Sequence, residues 1–94
     1  MKIVYDPRFT KNFLNIWEYI AVDSKRKANR FKKELREHIE DLVCFLYKFR
    51  RSIYFEDEQI RDLIFKGYTI PYKIDKSNDR IVILGIKKYT EVLP

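Results

Sequence analysis

From Phe9 to Leu46 the apolar residues of this chain return every three or four positions, and the clearest punctuation is the pair Asp23–Ser24. That spacing is the period of an α-helix with one apolar stripe. Two such helices joined by so short a connection have little choice but to fold back as an antiparallel hairpin. Phe9, Phe13, Ile16, Trp17 and Ile20 form the stripe of the first helix. Ala28, Phe31, Leu35, Ile39, Leu42 and Leu46 form that of the second, which is predicted to run to about Leu46. Ahead of the pair, "KIVY" (2–5) is a short strand. Asp6 and Pro7 then supply a helix start, one accepting from free amides and the other placed where its missing N–H costs nothing.

The second half changes period. Tyr68, Ile70, Tyr72 and Ile74 alternate with Thr69, Pro71, Lys73 and Asp75, the pattern of a strand with one dry face. Lys66 and Gly67 predict a two-residue hairpin turn before it, and "KSND" (76–79) a longer turn after it. The segment from Arg80 to Ile86 is apolar on both faces and is predicted to be one central strand. Pro71 cannot donate to a ladder, so its strand must be an edge or carry an irregularity there. Residues 47–58 have no period and read as a long loop. The order is β-α-α-β-β-β: an α+β domain with a helical hairpin on one face of a small, mainly antiparallel sheet, the other face left open. With 94 residues, 46% hydrophobic, the chain is expected to be a single domain.

Composition narrows the chemistry. One histidine and one cysteine cannot make a zinc site of ordinary composition, and there is no Gly-rich phosphate loop or nucleophile elbow. No metal and no cofactor are expected. Cys44 is read as a small core filler and a sign of a reducing compartment, and His38 as a residue on the helix flank. No apolar run is long enough to span a membrane, so a cytoplasmic location is expected. Twenty Lys and Arg against fourteen Asp and Glu give a net charge of +6 and favour a polyanionic partner, either nucleic acid or an acidic protein segment. The second helix opens on Lys25, Arg26, Lys27, Arg30, Lys32, Lys33 and Arg36, cations that oppose its macrodipole. Arg50 and Arg51 lie beside Tyr54 and Phe55, a combination that either clamps phosphate or anchors a loop. Lys87, Lys88 and Tyr89 emerge at the end of the last strand.

"IWEYIAVDSKRKANRF" (16–31) resembles the helical hairpin of the RelE/ParE superfamily, the toxins of bacterial type II toxin–antitoxin pairs, and "IRDLIFKGYTIPYKI" with "RIVILGI" resembles its closing strands. The resemblance implies a cognate antitoxin that wraps and inhibits the chain, through a surface left unassigned. It also implies one of two targets. RelE-like members cut ribosome-bound mRNA and usually carry an arginine in the third strand, where this chain has Thr69; ParE-like members poison DNA gyrase and commonly have an uncharged residue there. "IWEYIA" is closer to ParE, although the histidine-containing ending typical of that branch is absent. The ParE-like reading is preferred, with DNA gyrase as partner and no bond chemistry. The alternative is a ribosome-dependent endoribonuclease using Lys88, Tyr89 and Arg61, and a third is a degenerate member that only binds antitoxin. Arg50, Arg51, Lys66 and Lys87 are the candidate contacts to target or nucleic acid. No membrane and no small-molecule substrate are expected.

Overall fold

The computed structural model describes residues 1–88. Strand β1 (Lys2–Tyr5) leads into α1 (Pro7–Asp23) and α2 (Lys25–Asp41), followed by β2 (Ile60–Phe65), β3 (Tyr68–Asp75), β4 (Arg80–Ile83) and the short β5 (Lys87–Lys88). The sheet runs β1-β4-β3-β2, with β5 also paired to β3. All neighbours are antiparallel except β1 and β4, which pair in parallel from Lys2 opposite Arg80 to Tyr5 opposite Ile83.

Local chemistry sets the boundaries. The Asp6 side chain accepts from the Arg8 amide at 2.8 Å, and Pro7 opens α1 as the sequence requires. Ser24 ends one helix and caps the next: its amide donates to the Ile20 carbonyl and its hydroxyl accepts from the Lys27 amide at 3.2 Å. One residue thus terminates two helices, and the hairpin has no loop beyond it. At the β2–β3 turn Lys66 and Gly67 both have positive φ, 47° and 80°, the pairing of a type I′ turn, and glycine at the second position relieves half of its steric cost.

The helices cover one face of the sheet. Phe31, Leu35, Ile39 and Leu42 pack with Leu63, Phe65, Ile70, Tyr72, Ile74, Ile81 and Ile83 in a single cluster. The helices contribute unequally: α2 buries Ala28, Phe31, Leu35 and Ile39, whereas α1 fully buries only Phe9. A file of rings, Tyr5–Phe9–Phe13–Phe31–Tyr68, joins β1, both helices and β3 with centroids 5.4–6.2 Å apart.

Four expectations are corrected. Helix α2 stops at Asp41, not near Leu46. Beyond it the amides of Leu42, Val43, Cys44 and Phe45 bond three residues back, a tighter turn than the α-helix, although Leu42 still reaches the core. Cys44 sits in that turn and is exposed, so it fills no core. The strand expected over 80–86 is central, between β1 and β3, but breaks after Ile83 and resumes as β5. Pro71 accounts for the break: it lies opposite Asp62, the Asp62 amide turns away from β3 to Arg50, and the Pro71 carbonyl accepts from Leu84 on the other side. Its missing N–H therefore points into the gap between β4 and β5, the irregularity that proline demands. Lastly, the face away from the helices is not fully open. Residues 50–57 turn back over it: Arg51 bridges to Arg61, the Ile53 amide donates to Asp62 Oδ2 at 3.3 Å, and Lys73 pairs with Asp57 at 3.6 Å. Asp62, Thr69 and Pro71 on that face are buried.

Tyr72 ties the core to the turn that follows α2. Its ring is fully buried and its hydroxyl donates to the Leu46 carbonyl at 2.8 Å. Burial pushes its pKa up to about 12. Between pH 10, where an unfolded tyrosine loses its proton, and about 12 the unfolded chain binds fewer protons than the folded one, so stability falls as pH rises through that window. Tyr72→Phe should cost about 1–2 kcal/mol at neutral pH through the orphaned carbonyl. The gap between variant and wild type should narrow above pH 10, as followed by urea titration across the alkaline range.

Candidate functional site

The residues singled out in the sequence do not gather at one place but spread around β3. At the far end of the strand Lys87 pairs with Thr69 and Lys88 with Tyr68, so alternation sends their side chains to opposite faces. Lys87 lies on the face away from the helices with its ammonium 3.3 Å from the centre of the Tyr54 ring, a cation–π contact that pins the 50–57 segment. Lys88 is exposed on the helix side, where it borders a groove of about 410 Å³ with Asn12, Asn15, Ile16, Tyr19 and Tyr68. Tyr89 lies outside the described residues.

Arg61 is elsewhere. It pairs with Tyr72, four residues along β3 from the partner of Lys88, a separation of roughly 13 Å at the rise of a strand. Its guanidinium stacks 4.9 Å from the centre of the Tyr47 ring and donates to the Phe49 carbonyl at 3.3 Å. Those contacts hold the turns after α2 against the sheet. Arg61 and Lys88 do not converge.

Arg50 forms a second locus, a depression of about 420 Å³ whose walls include Lys48, Phe49, Asp62, Ile64 and Gly67. Lys66, next to Gly67 in the turn, is drawn toward the helices by a short ion pair to Glu34. The hydrogen bond from Lys66 holds the Glu34 carboxyl below its usual range, with nearby Arg30 and His38 adding to the effect. Arg51 is exposed at the edge of β2. His38 is a flank residue as expected, its Nδ1 2.8 Å from the Glu34 carbonyl and its ring against Phe65.

Sequence reasoning missed the third locus. Tyr5, Phe9, Phe13, Leu35 and Ile39 line an apolar groove of about 190 Å³ between the helices and β1, rimmed by Lys32 and Arg36. Burial raises the pKa of the Tyr5 hydroxyl there, against the pull of Arg36. The sequence places Tyr5 in the first strand and the others in the helical stripes; that they share one groove depends on how the hairpin seats on the sheet. Among the described residues no group of three or more His, Cys, Asp or Glu is placed to hold a metal, and no helix is long and apolar enough to cross a membrane.

Residues 3–92 match the family described as ParE toxin of type II toxin-antitoxin system, parDE. The chain belongs to the ParE toxin family. A solved structure titled as a chromosomal ParDE TA system from P. aeruginosa is similar to this toxin over 96% of this chain and 97% of that one, with a TM-score of 0.76 and 19% identity. At that identity the likeness concerns the fold, and it agrees with the hairpin-on-sheet architecture described above. No curated protein matches the toxin. Family membership makes the position of Thr69 informative: it is fully buried beneath the 50–57 segment, paired with Ile64 and Lys87.

These placements separate structural from surface cations. Arg61→Ala should cost about 1–3 kcal/mol, because it removes a ring contact and a bond to a backbone carbonyl. Lys88→Ala should stay within about 0.5 kcal/mol of wild type. Urea denaturation of both variants checks the ranking, which fails if Lys88→Ala is the more damaging.

Proposed function

We propose that this toxin arrests growth by binding DNA gyrase in the cytoplasm, without bond chemistry of its own, and that a cognate antitoxin keeps it inactive. The observation that carries this reading is Thr69. Where RelE-like nucleases usually carry an arginine, this chain has an uncharged side chain with no exposed surface, and two of the side chains that the nuclease reading would gather, Arg61 on β2 and Lys88 on β5, pair with opposite ends of the stretch Tyr68–Tyr72 of β3. General acid–base catalysis requires its groups within hydrogen-bonding reach of one reacting site. Arg50, Arg51 and Lys87 are contact residues in this reading, and Lys66 supports the turn beside them.

The groove between the helices and β1 supplies the inhibitor's seat. Its floor is apolar and its rim carries Lys32 and Arg36, which suits a segment with apolar anchors flanked by acidic side chains, folding as it binds. Two rings of the groove are accessible, Tyr5, which is exposed, and Phe13, which is half-buried.

Purified toxin should inhibit supercoiling by gyrase and leave ribosome-bound mRNA intact. Cleavage at codon positions in a translating extract, abolished by Lys88→Ala, would replace this reading with the nuclease one. In a separate titration, Phe13→Glu should weaken antitoxin binding at least about tenfold, or about 1.4 kcal/mol; unchanged affinity would move the antitoxin to another surface.

A further inference from the structure

Of the cations of α2, the functional reading uses only Lys32 and Arg36, at the rim of the groove, and leaves the others without a role. Seven of them fall between Lys25 and Arg36, against one acid, Glu34, which is already bonded to Lys66. Lys27 pairs with Asp23 at 3.6 Å, and among the described residues none of the other six forms an ion pair. All six are exposed. Their mutual repulsion works against α2, and Lys25 and Arg26, in its first turn, also oppose the helix dipole.

Their arrangement is ordered. At about 100° per residue, Lys25, Lys32 and Arg36 share one shoulder of the helix, while Arg26, Arg30 and Lys33 form a second row about 100° away. The second row points directly away from the buried stripe of Ala28, Phe31, Leu35 and Ile39. The exposed Asn29 lies between the rows, and no apolar residue does. A protein partner would need an apolar centre to its interface. A phosphate backbone needs only cations.

We propose that α2 binds the backbone of duplex DNA, lying at the mouth of the major groove with one cation row toward each strand. The B-form major groove, about 12 Å wide, admits a helix ridge, whereas the deep and narrow major groove of A-form RNA does not. The rows span about 16 Å of helix. Glu37 and Glu40 follow on the same side and confine the contact to the first three turns. At the mouth of the groove the cations meet phosphates rather than base edges, so the contact positions the helix without selecting sequence.

The test is fluorescence anisotropy with an arbitrary-sequence DNA duplex of about 20 base pairs, titrated between about 50 and 200 mM salt. Six phosphate contacts predict that log K falls against log salt with a slope near about −5, and R26Q/R30Q/K33Q should reduce it to about −3. R26K/R30K, which keeps the charge, should bind as wild type. K2Q/K11Q/K76Q, which loses as much charge at exposed sites elsewhere, should also keep the wild-type slope. The R26Q/R30Q/K33Q protein should melt no lower than wild type, because it is relieved of like-charge pairs at helical spacing. An RNA duplex of the same sequence should bind at least about fivefold more weakly, by the groove argument. Equal losses from the two neutralised triples, equal binding of RNA, or equal competition by polyglutamate would overturn the assignment. It stands apart from the gyrase reading: a toxin that inhibits gyrase but ignores the free duplex sinks this inference alone.

Discussion

The stripe of α2 against the middle of β3 is the contact on which the rest of the molecule is built. Ala28, Phe31, Leu35 and Ile39 are buried, and the last three share one cluster with Ile70, Tyr72 and Ile74, which also holds Leu63, Ile81 and Ile83. Apolar burial is worth about 1.5–3 kcal/mol for each large side chain, so the central helix and strand outweigh any single ion pair at the surface. The outer elements are held through this centre. Helix α1 reaches it through Phe9 and the file of rings; β2 reaches it through Leu63 and Phe65; the 50–57 segment is secured by Asp62 and Lys87, which sit on the far side of the same sheet.

The margins are held by fewer buried side chains than the centre. The two faces of the sheet are closed by different means, one by an apolar helix layer and the other by a short polar segment pinned by a backbone-to-carboxylate hydrogen bond and a cation–π contact. The functional surfaces follow from that asymmetry. An apolar groove opens between the helices and β1, cations crowd the outer side of α2, and Lys87 and Lys88 end on opposite faces of one strand.

Much of this could be read before any coordinates. The hairpin follows from two helical stripes with Ser24 between them, and the β2–β3 turn from a single glycine, because few residues other than Gly67 can hold its φ cheaply. What could not be read has physical reasons. Leu42 and Leu46 continue the period of α2 while the hydrogen bonds beneath them tighten, and periodicity records burial rather than bonding. Cys44 sits among apolar neighbours in sequence yet faces solvent, because the chain turns there. Arg61 looked free because its partners, Tyr47 and Phe49, come from a stretch without period, and only the register of β2 brings them to it. The cations of α2 were visible from the start; the two-row geometry rests on knowing which side of the helix is covered.

The parallel ladder between β1 and β4 links residue 2 to residue 80 and residue 5 to residue 83. Everything between must be synthesised before the first strand finds its neighbour, and contacts so distant along a chain carry the largest loop-closure entropy. A growing polypeptide can assemble its helical hairpin early, but β1 waits without its neighbour until β4 has left the ribosome, so a chain cut short anywhere before residue 80 has an unpaired first strand and no finished sheet.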